Sequence, residues 1–257
     1  MSAAPTRRVN RGRGHSYYLD GEQVPGVTTI LRDGVPKHLE DWVARTTAGY
    51  ACDYWAELTE LGTAQRMQRL TRARFDVLNQ AAARGTTVHE YAVRLAAGEE
   101  LEVPPELVGH VDAYLDFVRE WRVEELLIER PVINRTWRYM GSPDLIARLG
   151  DGRTWLLDWK TGASGIFPEA ALQVAAYAHA EAYLDADGNE QPMPELDAGG
   201  AVHLRADGFE LVPLDISDAT FRTFLYAAEV ARFANAPREQ YVGEPLEPPR
   251  HLEAVTP

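Results

Sequence analysis

The segment GSPDLIARLGDGRTWLLDWKTG, residues 141–162, constrains the chain more than any other. Two apolar runs flank Gly150-Asp151-Gly152, a triplet that suits a three-residue hairpin loop with Gly152 in the left-handed conformation. That loop pairs Leu149 with Arg153. Counting back along both strands then sets Asp144 opposite Asp158. Directly opposed side chains share one face with Cβ atoms ~5 Å apart. Lys160 is two residues beyond Asp158 and points the same way. Two carboxylates and an ammonium therefore converge, while Trp159 faces the other side and serves packing.

Carboxylates that close repel unless a positive charge neutralises them. A hard cation such as Mg²⁺ or Mn²⁺, as one ion or two, suits oxygen donors and keeps room for water and phosphate oxygens. Such an ion can activate water and stabilise charge on a phosphodiester. The competing reading is a satisfied salt bridge within a sheet, since Asp-x-Lys on a strand is common.

The surrounding pattern predicts an α/β fold, a mixed central sheet flanked by helices and preceded by a mainly helical region. Residues 1–14 read as a disordered basic tail. Residues 15–104 read as a hairpin turning at Asp20-Gly21, followed by helices that carry His89. Residues 105–235 read as the core. Its helix from Pro105 carries an apolar stripe that includes Val111, Tyr114 and Leu115. LLIERPVIN, TWRYMGSPDLIARL and RTWLLDWK then form three strands. PEAALQVAAYAHAEAYL is a helix, AVHLRADGFELVPLD a hairpin tipped by Asp207-Gly208, and a last helix is capped by Ser217. Residues 236–257 read as an irregular tail, and the whole as one compact domain.

With 26 Lys and Arg against 39 Asp and Glu, the net charge of −13 argues against coating nucleic acid by bulk electrostatics. It is compatible with a local basic groove. Arg7, Arg8, Arg11 and Arg13 form one basic cluster, and Arg66, Arg69, Arg72 and Arg74 another; solvated surface and phosphate contact both remain open for them. Aromatics at Trp42, Tyr50, Tyr54 and Trp55 could stack on bases. Their helical spacing favours a place in the core. The single cysteine, Cys52, excludes an internal disulfide and a four-cysteine iron–sulfur cluster within one chain. With no apolar run of membrane-spanning length, the expected setting is cytoplasmic, in a bacterium or a phage-infected host.

SPDLIA followed by LLDWKTG resembles the Asp…Asp-x-Lys signature of the PD-(D/E)XK nucleases. QVAAY resembles the Q-x-x-x-Y motif of their RecB-like branch, and RGTTVHEYA resembles the branch's histidine-bearing helix. VPGVTTILRDGVPKHLEDW is similar to phage-encoded RecB-like exonucleases and to the mitochondrial genome maintenance exonuclease. The resemblance covers roughly residues 15–235. It implies a restriction-endonuclease-like core with Asp144, Asp158 and Lys160 as catalytic residues. It also implies metal ligation by His89, Asp144, Asp158 and the Trp159 carbonyl, with Glu129 as a further acidic candidate. Gln173, Tyr177 and Thr161 would contact nucleic acid. The function implied is a metal-dependent DNA exonuclease acting on single strands or ends, in phage or bacterial recombination, repair or degradation. No helicase signature is present, so unwinding would come from a helicase or recombination partner. The alternatives are a structure-specific endonuclease or RNase of the same fold, and a non-catalytic nucleic-acid-binding or recombination-complex subunit.

Overall fold

The computed structural model describes residues 5–11, 14–36, 40–96, 98–100, 102–162 and 165–246. A five-stranded sheet forms the centre. Its strands are β4 (Glu124–Ile128), β7 (Leu145–Arg148), β8 (Thr154–Lys160), β11 (Ala198–Arg205) and β12 (Gly208–Leu214), ordered β12-β11-β8-β7-β4. The β8–β11 pairing is parallel and the others are antiparallel. The sheet is thus mixed, as the alternation of runs and helices predicts.

Strand β8 explains why the sheet needs cover on both faces: its residues are buried from Thr154 through Trp159. Odd-numbered residues Trp155, Leu157 and Trp159 enter a core with Tyr114 and Phe117 of α5 (Val108–Glu120). Even-numbered Leu156 enters the opposite core with Val174 and Tyr177 of α6 (Glu169–Ala178) and Phe224 of α7 (Asp218–Ala234). The period of two separates the faces. Each large apolar side chain buried this way contributes roughly 1.5–3 kcal/mol. The α5 stripe holds at Val111 and Tyr114, but Leu115 lies 41% exposed, on the solvent side.

The expected hairpin at Gly150-Asp151-Gly152 forms. Gly152 has φ +80°, and the Leu149 N–H donates to the Arg153 carbonyl at 3.0 Å. The Asp20-Gly21 turn also forms, with both φ values positive and Leu19 paired with Glu22. Ser217 caps α7 by accepting from the Thr220 N–H. In the later hairpin Arg205 pairs with Gly208, so Ala206-Asp207 is the tip, one residue earlier than expected.

Four expectations need correction. Residues expected in a disordered tail form β1 (Arg7–Arg11), which pairs antiparallel with β2 (Gly14–Leu19). β2 in turn pairs with β3 (Glu22–Val24), so β1 completes the hydrogen bonding of an existing hairpin. The first two predicted core strands each split. LLIERPVIN divides into β4 and β5 (Val132–Asn134), and TWRYMGSPDLIARL into β6 (Tyr139–Gly141) and β7. Pro131 and Pro143 supply no N–H to a ladder, and Glu129 turns the chain at φ +47°. β5 and β6 join a second sheet, ordered β10-β9-β5-β6, with β9 (Ala182–Leu184) and β10 (Glu190–Pro192). The sequence pattern places those last two in a helix end and a loop instead. Finally, the 36–97 region is helical, as α2 (Glu40–Asp53), α3 (Trp55–Thr59) and α4 (Thr63–Ala96). Yet Tyr54 and Trp55 are 44% and 64% exposed rather than core. Helix α2 packs mainly on α4, which leaves its other sides to solvent. Among the described residues no helix is long and apolar enough to cross a membrane.

Helix α1 (Val27–Gly34) packs on α7 and α6. A Cβ on Gly34 would lie 2.0 Å from the Ala227 carbonyl oxygen, a backbone atom that cannot swing aside. Gly34→Ala is therefore expected to destabilise the fold by about 1–3 kcal/mol, read as a lower urea midpoint with unchanged slope. A midpoint equal to wild type would show that the two helices are not held at this distance.

Candidate active site

The register Leu145↔Leu157 in the β7–β8 pair, extended by one step, sets Asp144 opposite Asp158. Asp144 lies just before β7, and its Oδ2 accepts a 2.7 Å hydrogen bond from the Trp159 backbone N–H. This bond ties the loop after Pro143 to the strand that carries Asp158. Asp158 itself is 2% exposed. Its Oδ2 is 2.5 Å from Lys160 Nζ, and its Oδ1 accepts from Gln173 Nε2 at 2.8 Å. The other end of the Gln173 amide accepts from Lys160 Nζ at 3.2 Å. The glutamine thus bridges acid and base, and its dipole complements both charges.

Tyr177, one helical turn beyond Gln173 on α6, receives a long hydrogen bond from Gln173 Nε2 at 3.4 Å. Burial, then the charge of Asp158, raises its pKa well above the ordinary tyrosine value, so its hydroxyl stays protonated. Gly141 makes room for the ring, since a Cβ there would lie 2.3 Å from Tyr177 Cε1. The exit of β8 is fixed from the neighbouring strand, where His203 Nε2 donates to the Gly162 carbonyl at 2.8 Å.

The predicted residues distribute unevenly. Asp144, Asp158, Lys160, Gln173 and Tyr177 come together on the α6 side of the sheet. The Trp159 ring lies on the other face, edge-on to Tyr114 and Phe117. Glu129 is exposed and borders the same cleft as Asp144, and its backbone N–H donates to the Asp144 carbonyl at 3.1 Å. Thr161 follows β8 and is not among the residues bordering the cleft. His89 lies on α4, with its side chain outside the described residues; of its neighbours, Val88 is in the α5-side core and Glu90 borders the cleft.

That cleft, about 510 Å³, is also lined by residues that the sequence does not place beside the catalytic acids. They include Arg8, His15 and Tyr17 from the N-terminal sheet, Thr28 on α1, Glu90 and Ser142. Of these Ser142 carries a signal two positions before Asp144 in the SPD triplet, Arg8 belongs to the N-terminal basic cluster and Glu90 to the histidine-bearing motif. The others belong to elements remote in sequence.

The donor chemistry fits a hard divalent ion. Asp144, Asp158 and Glu129 offer carboxylate oxygens, and the Trp159 carbonyl adds a neutral one. No set of three His, Cys, Asp or Glu side chains stands at metal-binding spacing among the described residues. Lys160 instead sits on Asp158, so the ammonium supplies the positive charge at the oxygen where an ion would bind.

Gln173 holds the Asp158 carboxylate through Oδ1, the place an outer-sphere partner would take if Asp158 held an ion. Gln173→Ala is expected to weaken Mn²⁺ binding by about 10–100-fold, measured by calorimetric titration. An unchanged affinity would mean that the amide does not orient Asp158.

The sequence matches the PD-(D/E)XK nuclease superfamily over residues 34–247. Among curated proteins no relative matches it. Of solved structures, that of SSO0001 aligns with 16% identity over 62% of this chain and 73% of its own, with a TM-score of 0.30. So distant a likeness carries no argument here. The superfamily match spans most of the chain and includes every residue that meets at Asp158, and the chain belongs to the PD-(D/E)XK nuclease superfamily.

Proposed function

We propose that this nuclease is a metal-dependent DNA exonuclease of the RecB-like type that acts on single strands or DNA ends. The observation that carries the hydrolytic reading is the Asp158–Lys160–Gln173 cluster opposite Asp144, at the edge of an open cleft. Preference for ends and for DNA rests on the resemblance of the 24–42 and 84–92 segments to RecB-like exonucleases. So does assignment to recombination, repair or degradation in a phage or bacterial setting, with a helicase or recombination protein as partner.

Bound Mg²⁺ or Mn²⁺ would supply Lewis acidity, lowering the pKa of water and stabilising charge on the phosphate. Asp144, Asp158, the Trp159 carbonyl and His89 would hold it, with Glu129 at the rim. Lys160 is placed to orient the attacking water and to balance negative charge growing on the phosphate oxygens. Water adds to phosphorus as the bond to the 3′ oxygen breaks, with no covalent enzyme intermediate. Gln173 keeps Asp158 and Lys160 in fixed relation, and Tyr177 offers a neutral hydroxyl donor beside them. Thr161, just past Lys160, is assigned to a phosphate contact.

End-labelled linear and closed circular single-stranded DNA, incubated with Mg²⁺, Mn²⁺ or EDTA, test this reading. Linear DNA should be degraded with either metal, the circle should survive, and EDTA should stop the reaction. Asp158→Ala should be inactive. Lys160→Ala should slow cleavage by about 10²–10⁴-fold, the range for a positioned proton-transfer group. Cutting of the circle would make the enzyme an endonuclease. DNA binding without turnover under any metal would leave a binding module.

A further inference from the structure

The superfamily match begins at residue 34, yet five residues before it, Arg8, His15, Tyr17, Val27 and Thr28, help to line the cleft. In the β1–β2 pair Arg8 lies opposite Tyr17, and Asn10 opposite His15. Strand alternation puts these four on one face. Arg8, His15 and Tyr17 of that face line the cleft. Arg7 and Tyr18, paired on the other face, stack outside it with the guanidinium 5.4 Å from the ring centroid.

The inward face is anchored to the catalytic loop. Ser142 Oγ accepts from Arg8 Nη1 at 3.3 Å and lies 3.1 Å from the Tyr17 hydroxyl. Ser142 is two residues before Asp144, about 7 Å along extended backbone. Tyr17 is 4% exposed, and the edge of its ring packs on His15, centroids 4.8 Å apart. Arg8 is thus seated rather than free to wander. Its Nε is shielded from solvent and has no hydrogen-bond partner among the described residues. Acidic side chains are close at hand, since Glu90, Glu129 and Asp144 border the same cleft. Even so, Arg8 forms no ion pair with any carboxylate among the described residues. A held cation with an N–H unpaired among the described residues is placed to take an anionic ligand. A guanidinium fork matches phosphate oxygens.

We propose that Arg8, seated by Ser142 and Tyr17, binds a backbone phosphate of single-stranded nucleic acid next to the phosphate over Asp144. β1 then serves as a clamp on the substrate strand. The identity of the ligand rests on the nuclease reading above. The anchoring to Ser142 also links grip to chemistry, because a strand held by Arg8 presses on the segment that positions Asp144.

The test is binding of a fluorescein-labelled single-stranded oligonucleotide in EDTA, by anisotropy, across a salt series. It uses the full chain, Arg8→Ala, Arg8→Lys and Arg7→Ala, with thermal melts as the folding control. Arg8→Ala should weaken binding about tenfold, as for one charged hydrogen-bonding contact. It should also lower the slope of log affinity against log salt by about 0.7, the single-strand value for one phosphate. Arg8→Lys should keep the slope. Arg7→Ala should keep both, since it stands on the outer face. If Arg8→Ala folds and leaves slope and affinity as in wild type, the clamp is wrong. It is equally wrong if Arg7→Ala lowers the slope as much, because the effect is then bulk charge. If Arg8→Ala does not fold, Arg8→Lys decides: a retained slope supports the clamp and a lowered one overturns it. A chain that never cleaves DNA but shows the Arg8-dependent slope would defeat the exonuclease reading and leave the clamp standing.

Discussion

A buried carboxylate held between an ammonium and an amide organises this protein. Removing an ion such as Asp158 from water costs several kcal/mol, even after relaxation of its surroundings. The fold offsets that cost with Lys160 on one oxygen and the Gln173 amide on the other. Lys160 can reach only because it is two residues along the same strand. Gln173 can reach only because α6 is pressed onto the sheet by Val174, Ala176 and Tyr177. The packing of one helix and the register of one hairpin thus both serve a single charge.

The same arrangement separates two tasks on one strand. Odd residues of β8 build an aromatic core with α5, while on the other face Leu156 joins the second core and Asp158 and Lys160 form the charged cluster. The Trp159 ring and the Asp158 carboxylate sit on adjacent residues but live in different environments. The Trp159 backbone N–H fixes Asp144 while the ring packs on the opposite face. Rigidity on the apolar side is what lets the polar side hold a fixed geometry.

Much of this is legible in the chain's local chemistry. The Gly-Asp-Gly loop determines a register, and the register determines which acids meet. Gln173 and Tyr177 are legible because four residues make about one helical turn. Where the sequence misleads, the cause is pairing between distant segments. Nothing local in RRVNR says strand, and only its partner β2 makes it one. Nothing in LLIERPVIN says where one sheet ends and another begins, although Pro131 is a hint. Arg8, Tyr17 and Glu90 reach the cleft through tertiary contacts that no periodicity encodes. Tyr54 and Trp55 have the spacing of a buried helix, and their exposure reflects how little packs on α2 and α3.

The close fit of Gly34 against Ala227 has a bearing on the order of events in folding. One wall of the cleft is attached to α1, near the start of the chain, and α1 is seated on α7, near its end. Closing so long a loop is an entropic barrier that local helix formation does not relieve. The hairpin of β7 and β8 closes over three residues and can form early in synthesis, whereas the seating of α1 has to wait until α7 has been made.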